Sequence, residues 1–264
     1  MPETQLDLFS ASGVSPKGLV QLDAKAPDIS PAELDDNSLL AAIPASGLTN
    51  GPALVAEAGR RGLAEAVSVL DGYCRRFAGF GADHLVPEQV AALRGLAAIG
   101  GREAAAAVTR LIVKAAVQGP TLKVAVGVAA HLGSDLPADI VLLLLGHTDP
   151  QVRGDACRCA RPTPNVVSAL INLLDDLDEE VSVAAACALG RMGNREARPL
   201  LASRLRDAPS PEVIDAISQV ADEDCIILLG RLLRTEPTLA NVALDALDAS
   251  DHPRAAQIIG NLQG

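Results

Sequence analysis

The sequence predicts an all-α solenoid, one continuous stack of short helices, and three observations predict it. Ile99-Gly100-Gly101-Arg102-Glu103-Ala104 matches Met192-Gly193-Asn194-Arg195-Glu196-Ala197 at a separation of 93 residues, which is three steps of 31. Helix starts that pair an acid, Pro or Ser/Thr with a following apolar residue place anchors at Val90, Leu122, Val152, Val181, Val213 and Leu239, spaced 32, 30, 29, 32 and 26 residues apart. Apolar residues make up 49% of the chain but aromatics only 2%, so Ala, Leu, Val and Ile must build the interior, as closely packed helices require. A repeat of this length cannot bury its apolar face alone and must be covered by its neighbours.

Taken in order, residues 1–30 hold Pro, Ser, Gly and Asp with no sustained helical period, and predict a flexible tail ahead of the solenoid at 31–264. Ser30-Pro31-Ala32-Glu33 reads as a helix start, with a cap residue, Pro at the first helical position and an early acid. That helix should reach about Ile43 and stop at Pro44 and Gly47. Helices over 49–61 and 63–77 follow, the latter with Leu63, Ala66, Val67 and Leu70 on one face. From Pro87 the repeats are clearest, through residue 249. A helix from Pro87 ends at Gly100-Gly101, and its partner covers 102–117. The next runs over 121–132 to Gly133, then 138–145. Asp149-Pro150, Asp178-Glu179-Glu180 and Ser210-Pro211 open three more, and Pro237-Thr238-Leu239 is a weaker copy. At each start the acid or hydroxyl accepts from free N–H groups and complements the helix dipole. Residues 181–202 show the unit best, as two short helices broken at Gly193-Asn194. The polar ends, 31–60 and 250–264, are expected to cap the stack.

Asp149-Pro150-Gln151-Val152-Arg153 and Ala188-Leu189-Gly190-Arg191-Met192-Gly193 carry a family resemblance. The chain resembles HEAT-repeat proteins, in the short form of phycobilisome-lyase-type repeats, over 87–249 and in weaker form over 50–86. Individual repeats depart from the pattern: Ser182 and Ile214 stand where Arg153 is basic, and the copy near Arg161-Pro162 lacks Gly. The resemblance implies a right-handed armadillo-type superhelix. The second helix of each pair, here about 88–99, 122–132, 150–160, 180–192, 211–221 and 238–248, should line the concave face. It also implies binding of protein partners without catalysis or cofactor. Handling of tetrapyrroles, as in the lyases of that repeat type, or a structural place in a larger assembly are the alternatives.

The sharpest short motif is Gln5-Leu6-Asp7-Leu8-Phe9. It resembles the peptide by which bacterial replication and repair proteins dock on the DNA sliding clamp, and all five positions match. In that reading Leu6, Leu8 and Phe9 fill an apolar groove and Gln5 hydrogen-bonds at its edge. Burying the three apolar side chains yields roughly 5–8 kcal/mol, and ordering five residues costs about 1–2 kcal/mol each. The expected contact is therefore weak and exchangeable. The bland alternative is that the same side chains tack the tail onto the solenoid.

A second candidate is a basic group on two neighbouring layers, Arg153, Arg158, Arg161, Arg191 and Arg195, suited to carboxylate or phosphate. It either binds an acidic partner segment or pairs with Asp149, Asp155, Asp178 and Glu179. Cys157, Cys159 and Cys187 fall near equivalent places on adjacent layers. Without a fourth ligand at a supporting spacing they read as small core residues in place of Ala, and no metal site is expected. The paired His-Glu motifs of HEAT-type metal hydroxylases are absent from the sequence.

Charge and hydropathy narrow the partners. A net charge of −11 opposes broad nucleic-acid binding, which depends on neutralising phosphates. The longest apolar run, Ile140-Val141-Leu142-Leu143-Leu144-Leu145, is far short of the ~20 residues that span a bilayer. Five cysteines without a CxxC pair, and no basic-then-apolar leader, point to a reduced cytoplasm.

Overall fold

A computed structural model describes residues 30–250 and 252–263; the motif at residues 5–9 lies outside the described residues. After a short 3-10 turn at Pro31–Glu33 come α1 (Asp36–Ala45), α2 (Gly51–Arg60), α3 (Ala66–Arg75), α4 (Pro87–Ile99) and α5 (Gly101–Val113). Then follow α6 (Gly119–His131), α7 (Ala138–Leu145), α8 (Pro150–Arg158), α9 (Pro164–Asn172) and α10 (Glu179–Arg191). The chain continues through α11 (Arg198–Asp207), α12 (Pro211–Ser218), α13 (Glu223–Thr235), α14 (Ala240–Asp248) and α15 (Pro253–Gln263). No strand occurs among the described residues.

Each odd-numbered helix folds back on the even-numbered helix that follows it, giving seven hairpins from α1/α2 to α13/α14, with α15 packed on the last. The even helices form one unbroken row, α2 through α14, each against the next. This is the α-solenoid that the 31-residue step predicts, and the even helices are the ones that carry the sequence anchors. The odd row is looser. Its neighbours α1/α3, α3/α5, α7/α9, α11/α13 and α13/α15 pack on one another, while it opens between α5 and α7 and between α9 and α11.

Side-chain caps explain where α8, α10, α12 and α13 begin. Asp149 accepts from the Gln151 N–H, Asp178 from Glu180 and Val181, Ser210 from Val213, and Asp222 from Cys225. Each such cap is worth about 1 kcal/mol. The first helix begins later than the sequence predicts. Ser30 makes no side-chain cap and Leu34 is extended, whereas Asp35 accepts from both the backbone and the hydroxyl of Ser38 and starts α1. At the far end Leu239 has no side chain to cap α14.

The core is a continuous column of aliphatic side chains from Leu39 to Ala255. Its centre is α10, in which Val181, Ser182 and every residue from Ala184 to Gly190 are buried. A helix buried on nearly every side must be thin, and Ala184, Ala185, Ala186 and Ala188 make it so. Gly193, at φ +74°, supplies the left-handed turn that ends the helix, and Asn194 caps the 3-10 turn at Arg195–Ala197 that leads into α11. Tyr73 and Phe77 meet edge to face near the N-terminal end of the stack, with the Arg76 guanidinium over both rings.

Candidate protein-interaction surface

The even-row helices run parallel, so their N-termini gather on one edge of the stack and their C-termini on the other. Acids that cap and flank the N-termini (Asp149, Asp178, Glu179, Glu180) therefore collect on the first edge. Arg158 and Arg191, in the last turns of α8 and α10, collect on the second. The helix dipole favours this arrangement at both ends.

Of the five arginines singled out in the sequence, Arg158, Arg161 and Arg191 come together. They line a cleft of about 490 Å³ with Asp135, Ala160, Pro162, Ala188 and Met192. Arg158 lies 3.3 Å from Glu212 of α12 and 3.2 Å from Asp155, crossing the alanine face of α10 to reach the next helix but one. Arg191 lies 3.6 Å from the same Glu212. Arg161 pairs with Asp135.

Arg153 and Arg195 are placed elsewhere. Arg153 sits at the N-terminal side of α8 and forms a two-pronged pair with Asp176, at 2.7 and 2.9 Å, while donating to the carbonyls of His147 and Thr148. Its side chain is 16% exposed and that of Asp176 only 7%. The guanidinium holds the Asp176 carboxyl below the usual carboxylate range. Arg153 thus staples the α7–α8 connection to the α9–α10 connection. Arg195 is exposed in the 3-10 turn, with no ion pair among the described residues.

A second cleft of about 880 Å³ adjoins the first where the odd row opens between α5 and α7. Arg102, Arg110 and Arg161 line it, with Leu132, Gly133, Ser134 and Asp135 as its floor and far wall. Arg161 and Asp135 belong to both clefts. Sequence reasoning missed Arg102 and Arg110. A signal for Arg102 existed, since it is the counterpart of Arg195 in the 93-residue match.

On the acidic edge a groove of about 740 Å³ is lined by Lys123, Asp149, Gln151, Asp155, Asp178 and Glu180 among others. Lys123 pairs with Asp149 at 2.9 Å and lowers its pKa. Burial pushes the Asp155 carboxyl above its ordinary value. One Asp155 oxygen has no hydrogen-bond partner and lies beside Gly127, where a Cβ would come within 3.2 Å.

Cys157, Cys159 and Cys187 are buried in the core, and desolvation pushes each thiol up to about 12. They remain protonated at neutral pH and act as small apolar residues. No described helix is long and apolar enough to cross a membrane.

No curated protein matches this chain. The family model for HEAT repeats matches residues 137–221, the stretch from α7 to the end of α12 that carries Arg158 and Arg191, so the central hairpins of this solenoid are similar in sequence to HEAT repeats.

Proposed function

We propose that this chain is a non-enzymatic scaffold that binds other proteins, and that residues 5–9 tether it to the DNA sliding clamp in bacterial replication or repair. HEAT repeats commonly serve protein–protein interaction, and the extended, open clefts along the stack suit that role. The observation that carries the clamp reading is the five-for-five motif Gln5-Leu6-Asp7-Leu8-Phe9 ahead of the first helix at Asp36. A short motif separated from the solenoid by some 25 residues leaves the stack free to hold a second partner. Two linked contacts raise overall avidity through effective concentration. A cytoplasmic setting goes with this reading.

The test is binding of the full chain to a purified bacterial sliding clamp, beside the Leu8→Ala/Phe9→Ala variant. Micromolar binding by the native chain, lost in the variant at unchanged helicity, is the expected result. Retained affinity in the variant rejects the motif, and absence of binding by either protein rejects the tether. Uptake of a bilin by the purified protein would favour the tetrapyrrole-handling alternative instead.

A further inference from the structure

We propose that the two adjoining arginine clefts form a single docking site for a short acidic segment of a partner protein, kept closed by the Asp135–Arg161 pair. The inference deepens the scaffold reading and is independent of the clamp motif.

Five guanidiniums (Arg102, Arg110, Arg158, Arg161, Arg191) border the combined cleft, and Asp135 is the one carboxylate on its lining. In a chain of net charge −11, arginines thus outnumber carboxylates on this lining. The arginines are held from behind by acids that do not line it. Arg110 pairs with Asp71 at 3.2 Å, Arg158 with Asp155 and Glu212, and Arg191 with Glu212. Each guanidinium has five N–H donors in a fixed fork. Arg110 reaches Asp71 through a single nitrogen, and its side chain remains 55% exposed. Arg102 has no ion pair among the described residues. Donors positioned this way, with spare capacity, suit carboxylates, which guanidinium binds two-pronged.

Ser134 is the independent observation. It lines the cleft beside Asp135, is 5% exposed, and its hydroxyl lacks a hydrogen-bond partner. An unpaired buried hydroxyl costs about 1–3 kcal/mol. The hydroxyl is covered in this conformation, and a shift of the 132–135 turn that uncovered it would offer a docked carboxylate or carbonyl a donor.

The occupant must be short. Asp149, Asp178, Glu179 and Glu180 lie at the opposite ends of α8 and α10, roughly 14–20 Å along the helices at 1.5 Å per residue, and the long Arg158 side chain borders both the arginine cleft and the groove that Asp149, Asp178 and Glu180 line. A long polyanion would be repelled there, whereas a few carboxylates on a peptide would remain within the arginine field. Nucleic acid would also find no stacking platform, because the aromatic side chains among the described residues, Tyr73, Phe77 and Phe80, belong to α3 and the turn after it.

Asp135 decides access. Its pair with Arg161 stands at the junction of the two clefts, and both side chains are largely exposed (48% and 67%). Such a pair is cheap to break. An incoming carboxylate replaces Asp135 on Arg161 and opens the site from one end to the other.

The experiment is fluorescence anisotropy on the full chain. The probes are a short labelled peptide of alternating Glu and Ala, its Gln/Ala counterpart, and a labelled single-stranded oligonucleotide. Saturable, salt-sensitive binding of the Glu peptide alone is expected. Asp135→Asn should tighten it several-fold. Arg102→Ala/Arg161→Ala, which leaves the core untouched, should weaken it at least about tenfold, while Arg206→Ala on an exposed face away from the cleft should not. Equal binding of the Gln peptide, tighter binding of the oligonucleotide, unchanged affinity in the double variant, or no binding even by Asp135→Asn would each overturn the proposal. The Leu8→Ala/Phe9→Ala chain should bind the Glu peptide normally, so failure of the clamp reading and failure of this one are separable.

Discussion

Between α2 and α4 the backbones themselves meet. A Cβ on Gly59 would fall 2.8 Å from the Cα of Gly95, and one on Gly95 would meet the Leu70 and Val55 side chains. Between α8 and α10 the one glycine that faces the neighbouring helix, Gly154, meets only the Ala184 methyl, at 4.0 Å from where its own Cβ would be. The N-terminal joint is thus closed by steric fit alone. The central joint is spaced by methyl groups and bridged by charge: Arg153 to Asp176 on one side, Arg158 to Glu212 across the face of α10. A backbone contact has no alternative partner to exchange with. Ion pairs can be exchanged for a ligand's, and the candidate binding surface includes the arginines that reach from α8 and α10 to Glu212.

The largest effect that would break this comparison is Arg153→Ala. It leaves the Asp176 carboxylate buried without its partner, and should cost about 3 kcal/mol, the lower end for such a site. Denaturant titration measures it, and a loss under about 1 kcal/mol would mean that the central joint does not depend on that pair. Next come the two glycines, which should respond with opposite signs. Gly59→Ala drives a methyl into the backbone of α4 and should destabilise by about 1–3 kcal/mol. Gly154→Ala meets only ordinary contact and should stabilise by roughly 0.5–1 kcal/mol through helix propensity. Equal effects in thermal unfolding would show that the two joints are packed alike.

The subtlest effect depends on pH. Glu57 in α2 accepts from Arg60 and Arg61, and Arg61 ties it to Asp36 and to the carbonyls of Pro31 and Ala32. Hydrogen bonds from Arg60 and Arg61 lower its pKa from 4.5 to about 2. The folded chain therefore holds this proton less tightly than the unfolded chain. The contribution of Glu57 is complete above about pH 4.5 and is lost as the pH falls towards 2. The stability gap between the native chain and Glu57→Gln should close over that window, and a gap constant with pH would separate Glu57 from the arginines.

The repeat starts show how much of the fold was legible. Asp149-Pro150, Asp178 and Ser210-Pro211 open even-row helices where the sequence places them, because caps act over three or four residues, and Pro87 does so from the first helical position without a side-chain cap. Helices α9 and α13 were not readable in the same way. Thr163 and Asp222 do cap them, but no regular anchor step marks the odd row. Ser30 misled because Asp35, five residues on, offers a carboxylate to Ser38 and starts the helix in its place.

By itself, the sequence determined the helical class, the repeat step, the even row with its caps, and the surplus of acid over base. These follow from periodicity and from interactions between residues a turn apart. Only the tertiary structure decided which arginines share a surface. Arg153 and Arg158 lie five positions apart on one helix, yet one staples two connections while the other lines both the groove at the acidic edge and the arginine cleft. Arg102 and Arg191, 89 positions apart, border the same combined cleft. Partners of that kind are set by how successive hairpins stack and where the odd row opens, and neither is encoded in any single turn of helix.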